Sequence, residues 1–258
     1  MTAHHDGAVA PLLSGSSAVH RLAPEVKVVA TLLFVIAVLA TPREAVTALG
    51  AELAIVLVVA WSAQVPLRLL AARLVVTLPF IAFAALLPLV GGGERVDVGP
   101  LSFSVEGLWG AWNIVAKAGL GVLATSVLAA TADPVALLAG LHRLRAPTVL
   151  VAIAAFMVRS LHVGLAQLRL MQVARVSRGD DPRWLWQARA VASTAGTLFV
   201  RSYERGERVH LAMCARGYTG GVPYLGARGT ASATAWAVGL APALVAVAIA
   251  VTTRWAAL

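Results

Sequence analysis

Residues 175–218 read RVSRGDDPRWLWQARAVASTAGTLFVRSYERGERVHLAMCARGY. Two Arg-Gly pairs punctuate this stretch, Ser177-Arg178-Gly179 and Ala215-Arg216-Gly217. Each stops a helical pattern, because Gly just past a helix end takes up the left-handed turn that other residues resist. An amphipathic helix is expected from about Trp184 to Ala215, with Arg201, Glu204, Arg205 and Arg208 on its exposed face. Glu204 and Arg208 stand four apart in the favourable order, worth about 0.3–0.5 kcal/mol. No other part of the chain is so rich in Arg, and what surrounds it is apolar. That contrast decides the fold class: a polar helical unit held by membrane helices.

Of the 258 residues, 59% are hydrophobic and only 13% charged, against about 25% charged in a soluble domain. The chain therefore reads as an integral membrane protein of one helical bundle. It carries 21 basic residues against 12 acidic, a net charge of +9. Nucleic acid is one possible reason for that balance; loops facing anionic lipid are the better one in so apolar a chain. A single cysteine, Cys214, excludes an internal disulfide. It reads as a small packed residue rather than a reactive thiol.

Just before the Arg-rich stretch, Pro147 to Met157 is apolar, but Arg159 and His162 arrive early. That leaves fewer than the ~20 apolar residues a crossing needs. Arg159, His162, Arg169 and Gln172 form one polar stripe opposite Leu161, Leu165 and Leu168. The expectation is a second amphipathic helix, buried at its start and wet at its end.

The remaining chain supplies the spans. Residues 1–19 read as a flexible tail without the apolar core of a signal peptide, so no cleaved leader is expected. Pro24 starts the first span, which Thr41-Pro42 ends, with Glu25 and Lys27 at the interface. Further spans are expected over 44–64, over 69–90 with kinks at Pro79 and Pro88, over 106–131 and over 231–251. Residues 94–104 read as a polar loop. Asp133-Pro134 opens a short helix ending near Arg145. The chain thus divides into a tail (1–19), four membrane helices and a connecting helix (20–146), a cytosolic coupling region (147–230) and a last membrane helix (231–258). The fold expected is all-α, a polytopic bundle of about five transmembrane helices with two long amphipathic cytosolic helices.

Placing 147–230 inside puts Arg21, Lys27, Arg68, Arg73, Arg143 and Arg145 on the same side, leaving Arg43, Arg95 and Arg254 outside. The positive-inside rule favours five crossings with a cytoplasmic N-terminus in the cell membrane. A six-crossing arrangement, with 147–166 forced through, ranks second.

No Walker A pattern is present, since neither Lys27 nor Lys117 follows a Gly-rich turn or precedes Ser or Thr. Nor is there a His-Glu-x-x-His, a Gly-x-Ser-x-Gly or a paired-carboxylate motif, so catalysis by this chain is not expected. Asp180-Asp181, the one acidic pair a lipid-processing enzyme would need, reads as a solvated turn before Pro182. His4, His5 and Asp6 read as solvated tail rather than as a copper or nickel site. Trp184 and Trp186 read as packing or interfacial anchors. Glu52 and Lys117 are ionisable groups inside spans two and four at similar depth. Either they pair across the bundle, or each reaches a headgroup by itself. The Arg-Gly ends also have two readings. Capping accounts for each alone, while an Arg fork able to grip carboxylates and carbonyls makes both together docking points.

At this point the chain resembles the transmembrane T component of energy-coupling factor (ECF) transporters of the CbiQ type. The resemblance rests on His20-Arg21-Leu22 with Pro24 and Lys27, on Ala132-Asp133-Pro134 leading to Gly140-Leu141-His142-Arg143-Leu144-Arg145, and on Ala174-Arg175-Val176-Ser177-Arg178-Gly179. It rests also on Arg201-Ser202-Tyr203-Glu204-Arg205-Gly206-Glu207-Arg208 running into Ala212-Met213-Cys214-Ala215-Arg216-Gly217-Tyr218. The first signature has Ser177 where the family usually has Ala. The resemblance implies that Ser177, Arg178, Gly179, Ala215, Arg216 and Gly217 dock on a pair of ABC ATPases. It also implies a substrate-specificity membrane subunit as third partner. ATP would be hydrolysed by the partners, and the chain itself would bind no cofactor or metal. Residues 201–208 and Thr41-Pro42-Arg43-Glu44 resemble the cobalt branch, which implies cobalt(II) as the cargo of the complex, with nickel or a vitamin as alternatives.

Overall fold

A computed structural model describes residues 17–90, 92, 95–98, 101–179, 188–218 and 231–256. His4, His5, Asp6, Asp180, Asp181, Trp184 and Trp186 lie outside them. The chain falls into two compact units. Of the described residues, one unit, the bundle, holds those from 17 to 143 and from 231 onward; the other holds 144–179 and 188–218.

The bundle begins with a single turn, α1 (Ala18–Arg21), and then α2 (Pro24–Ala40), whose Pro24 occupies the first helical position. There its missing N–H costs nothing. After α2 comes α3 (Val46–Ser62). The span expected over 69–90 is a broken one: α4 (Leu67–Leu74), a 3-10 turn at Val75–Thr77, α5 (Leu78–Ala84) and α6 (Leu87–Val90). The breaks fall where the sequence put them. Pro79 and Pro88 cannot donate to the preceding turn, so the backbone tightens just ahead of each.

Residues 94–104, expected as a loop, instead contain a two-stranded antiparallel hairpin, β1 (Arg95–Val98) and β2 (Leu101–Ser104), with Arg95 opposite Ser104. Four-residue strands are too short to announce themselves by alternation. Ser104 closes the hairpin and caps the next helix. Buried, its hydroxyl donates to the Gly92 carbonyl at 2.6 Å and accepts from the Gly107 N–H at 3.1 Å. The remaining bundle helices are α7 (Val105–Thr131), the short α8 (Pro134–Arg143) and, after the second unit, α11 (Ala233–Ala256). Their contact faces are rich in small residues: Ala37, Ala60, Ala124, Ala130, Ala243, Ala246 and Ala250 are all buried. In a bilayer, where lipid is as apolar as Leu, close backbone approach of this kind is what holds helices together.

The second unit is a helix pair, α9 (Thr148–Val176) and α10 (Ala188–Ala215). On α9 the buried residues are confined to the first turns (Val151, Ala152, Ala155), and Arg159, His162, Arg169 and Gln172 are exposed. Its length is close to the expected 148–175, but its apolar stretch is longer than expected. One Arg does not interrupt the helix, and its 29 residues include an apolar stretch as long as a crossing needs. Among the described residues four helical segments have the length and apolarity to cross a membrane: Leu67–Leu89, Val105–Thr131, Thr148–Val176 and Ala233–Ala256. The protein is an all-α, multi-pass membrane protein with one small hairpin.

Candidate functional site

Both Arg-Gly ends lie in the helix pair, and both are left-handed: φ is +82° at Gly179 and +81° at Gly217. At the end of α10 the Gly217 N–H donates to the Cys214 carbonyl and the Tyr218 N–H to the Met213 carbonyl, each at 3.0 Å. Those two bonds are the Schellman pattern, which satisfies carbonyls that the helix end would otherwise leave free. At the end of α9 the Gly179 N–H donates to the Val176 carbonyl at 3.0 Å. In each case the caps leave the preceding Arg, Arg178 or Arg216, with its side chain exposed. Neither guanidinium bonds a described residue. Capping therefore uses the backbone of these ends, and the two Arg forks stay available. Ser177 turns inward on its own helix, its hydroxyl donating to the Val173 carbonyl at 3.0 Å, while Ala215 is exposed. Gly217→Val, which puts a branched side chain at positive φ, is expected to fray the end of α10 at a cost of roughly 1–2 kcal/mol. Faster amide exchange at Tyr218 in the variant would be the measured sign.

Between α9 and α10 runs an apolar groove of about 580 Å³, lined among others by Phe156, Met157, Leu161, Val209 and Met213. Arg205, expected on the exposed face, is half-buried along this groove. Glu204 and Arg208 do form the ion pair that their spacing implied, at 3.8 Å and on the surface. Apolar side chains stay uncovered on both helices, including Leu170, Val173 and Val176 on α9 and Phe199, Tyr203 and Leu211 on α10.

Glu52 and Lys117, for which pairing across the bundle and separate reach to a headgroup were the two readings, are not joined by an ion pair within 4.0 Å. Both instead hold the end of α2. Helix ends leave their last carbonyls unbonded, and the Lys117 ammonium donates to that of Leu39 at 3.0 Å. Glu52, fully buried, accepts from the buried Thr41 hydroxyl at 2.7 Å. Removing a donor from a buried acceptor costs roughly 1–3 kcal/mol. Thr41→Val is accordingly expected to lower the thermal midpoint of the solubilised protein, and an unchanged midpoint would mean Glu52 has found another donor.

A further group of polar residues gathers where α2 begins. Glu25 is buried and paired with Arg143, whose Nη1 lies 3.1 Å from both carboxylate oxygens. Lys27, also buried, donates to the Thr131 carbonyl at 2.8 Å and to that of His20 at 3.2 Å. Sequence reasoning placed Glu25 and Lys27 at the interface and gave them no partners. A carboxylate and an amine in the first turn of an apolar helix were the signal that partners had to exist.

Fold and helix ends together define a multi-pass helical membrane protein whose helix pair carries two Arg-Gly caps, each with an exposed Arg that bonds no described residue. The chain belongs to the cobalt transport protein family, CbiQ, which it matches over residues 15–225. It is 30% identical over 191 residues to the cobalt transport protein CbiQ of Rhodobacter capsulatus, covering 71% of this chain and 75% of that one. It is 28% identical over 219 residues to the energy-coupling factor transporter transmembrane protein EcfT of Heliobacterium modesticaldum, with 80% and 81% covered. The EcfT of Bacillus selenitireducens is 27% identical over 221 residues, with 80% and 82% covered.

Proposed function

We propose that this chain is the T component of an ECF-type importer in the cell membrane, passing the motion of two ABC ATPase subunits to a substrate-binding membrane subunit. The observation that supports it most is the pair of Arg-Gly ends, two left-handed caps on one helix pair, each with an exposed and unengaged Arg. Arg178 and Arg216 would seat in grooves of the two ATPases. When ATP closes the ATPase dimer, α9 and α10 would move with those Args, and their uncovered apolar faces would hand the motion to the substrate subunit. ATP is then hydrolysed outside this chain.

Cobalt(II) is the cargo this reading favours, supported by the family's name and by the Rhodobacter relative. The charge distribution supports a cytoplasmic N-terminus and helix pair. The test is to express the chain with the products of its neighbouring genes and purify through it. Two ATPases and a small membrane protein are expected to co-purify, and cells carrying the set to accumulate cobalt in an ATP-dependent way. A chain that purifies alone, or uptake that needs no ATPase, would refute the proposal. Nickel uptake without cobalt uptake would refute the cargo alone.

A further inference from the structure

The Glu25 carboxylate has a second partner besides Arg143. The backbone N–H of Ala231 donates to its Oε1 at 3.3 Å. The three residues are far apart in sequence, with 118 positions between Glu25 and Arg143 and 206 between Glu25 and Ala231. Their places in the chain matter. Arg143 is the last residue of the bundle before the chain enters the helix-pair unit, and Ala231 lies just after the chain comes back. A single buried carboxylate thus holds the last bundle residue before that unit and the first described residue after it.

The surroundings make the tie stiff. The Glu25 side chain is 4% exposed and that of Arg143 15%. The backbone of α8 lies directly against the first turn of α2, so close that a Cβ on Gly140 would stand 2.8 Å from the Glu25 nitrogen. Lys27 holds the last carbonyl of α7, that of Thr131, three residues before α8 begins at Pro134. A buried ion pair is weak evidence for stability, since well-packed apolar residues often serve as well; what it offers is a fixed geometry.

We propose that Glu25 is a positioning residue that fixes the two points where the chain leaves and re-enters the bundle, so that displacement reaching those points is delivered to the bundle instead of being lost in movement of α8 and Ala231 against α2. This rests on the transporter reading above. It assigns Glu25 to coupling and not to docking.

The test uses the whole complex in proteoliposomes. With Glu25→Ala, assembly and ATP hydrolysis are expected to stay near wild type while cargo moved per ATP falls tenfold or more. The exchanged pair, Glu25→Arg with Arg143→Glu, restores the ion pair but offers Ala231 no acceptor. It is expected to recover protein yield while leaving the ratio low. In the same samples, amide exchange in Glu25→Ala should rise both across residues 134–143 and at Ala231, and stay unchanged in the middle of α7. An unchanged ratio, uptake and hydrolysis falling by the same factor, or faster exchange at only one of the two connections would overturn the proposal. If Glu25→Ala fails to insert, Glu25→Gln, which keeps the shape and an acceptor for Ala231 but loses the charge, takes the same measurement with a smaller fall expected. Failure of the transporter reading would look different: the wild-type chain would bring down no ATPase. The exchange measurement on that chain in a bilayer would still decide whether Glu25 ties both connections.

Discussion

Replacing Arg216 by Ala is expected to abolish cobalt uptake while the chain still inserts and its helices still form. The helix end does not depend on this side chain. Gly217 and the two backbone bonds from Gly217 and Tyr218 close α10 whether or not Arg216 is present. What is lost is an exposed planar fork. Truncating a hydrogen-bonded Arg that becomes buried at an interface typically costs ~2–5 kcal/mol. That corresponds to docking weakened roughly 30-fold to several thousand-fold. Arg216→Lys should recover only part of the loss, because an ammonium keeps the charge without the paired donors. Arg178→Ala is expected to act in the same direction. Uptake by membrane vesicles, normalised to the inserted protein, measures this, and normal uptake in the Arg178, Arg216 double variant would sink the docking assignment.

Gly140→Val should be a strongly damaging change within the bundle. A Cβ at this position would stand 2.8 Å from the Glu25 nitrogen and 3.0 Å from the Pro24 carbonyl carbon. Both are backbone atoms of a helix's first turn and cannot rotate away. α8 would have to retreat from α2, and the 3.1 Å contacts between Arg143 and Glu25 would open with it. Overpacking of this kind costs roughly 1–3 kcal/mol, and the strained ion pair adds to that. Lower yield and a lower thermal midpoint in detergent are expected. Gly196→Ala is the control: in α10, with nothing within 4 Å of the added Cβ, it should match wild type or exceed it, since Ala favours helix by up to ~1 kcal/mol over Gly. Equal midpoints for Gly140→Val and wild type would mean that the two helices do not approach so closely.

Much of this architecture is legible in the chain because it depends on neighbours in sequence. The apolar runs mark where helices lie, and Pro79 and Pro88 mark where one breaks, since a missing N–H acts within a turn. The Arg-Gly ends are equally local. A left-handed Gly and bonds three to five residues back make the cap, so Gly179 and Gly217 could be read without any tertiary contact. The Glu204–Arg208 pair is local too.

What could not be read depends on residues brought together from a distance. Glu52 and Lys117 attracted notice as charges in apolar helices, and opposite charge suggested that they meet. The folded chain gives each a different partner, because α2 ends between them with Thr41 and an open Leu39 carbonyl at hand. Arg143 looked like an ordinary basic residue at a helix end. Its ion pair with Glu25, and the Ala231 N–H on the same carboxylate, exist only once α2, α8 and the residues before α11 are packed. The sequence by itself determined that this is a membrane helical bundle with an Arg-rich helical stretch closed by two Arg-Gly ends, since composition and short-range geometry suffice for that. Tertiary structure alone decided that one carboxylate holds both Arg143 and Ala231, because a buried charge takes whichever donor the packing delivers, and packing is not written in any local stretch.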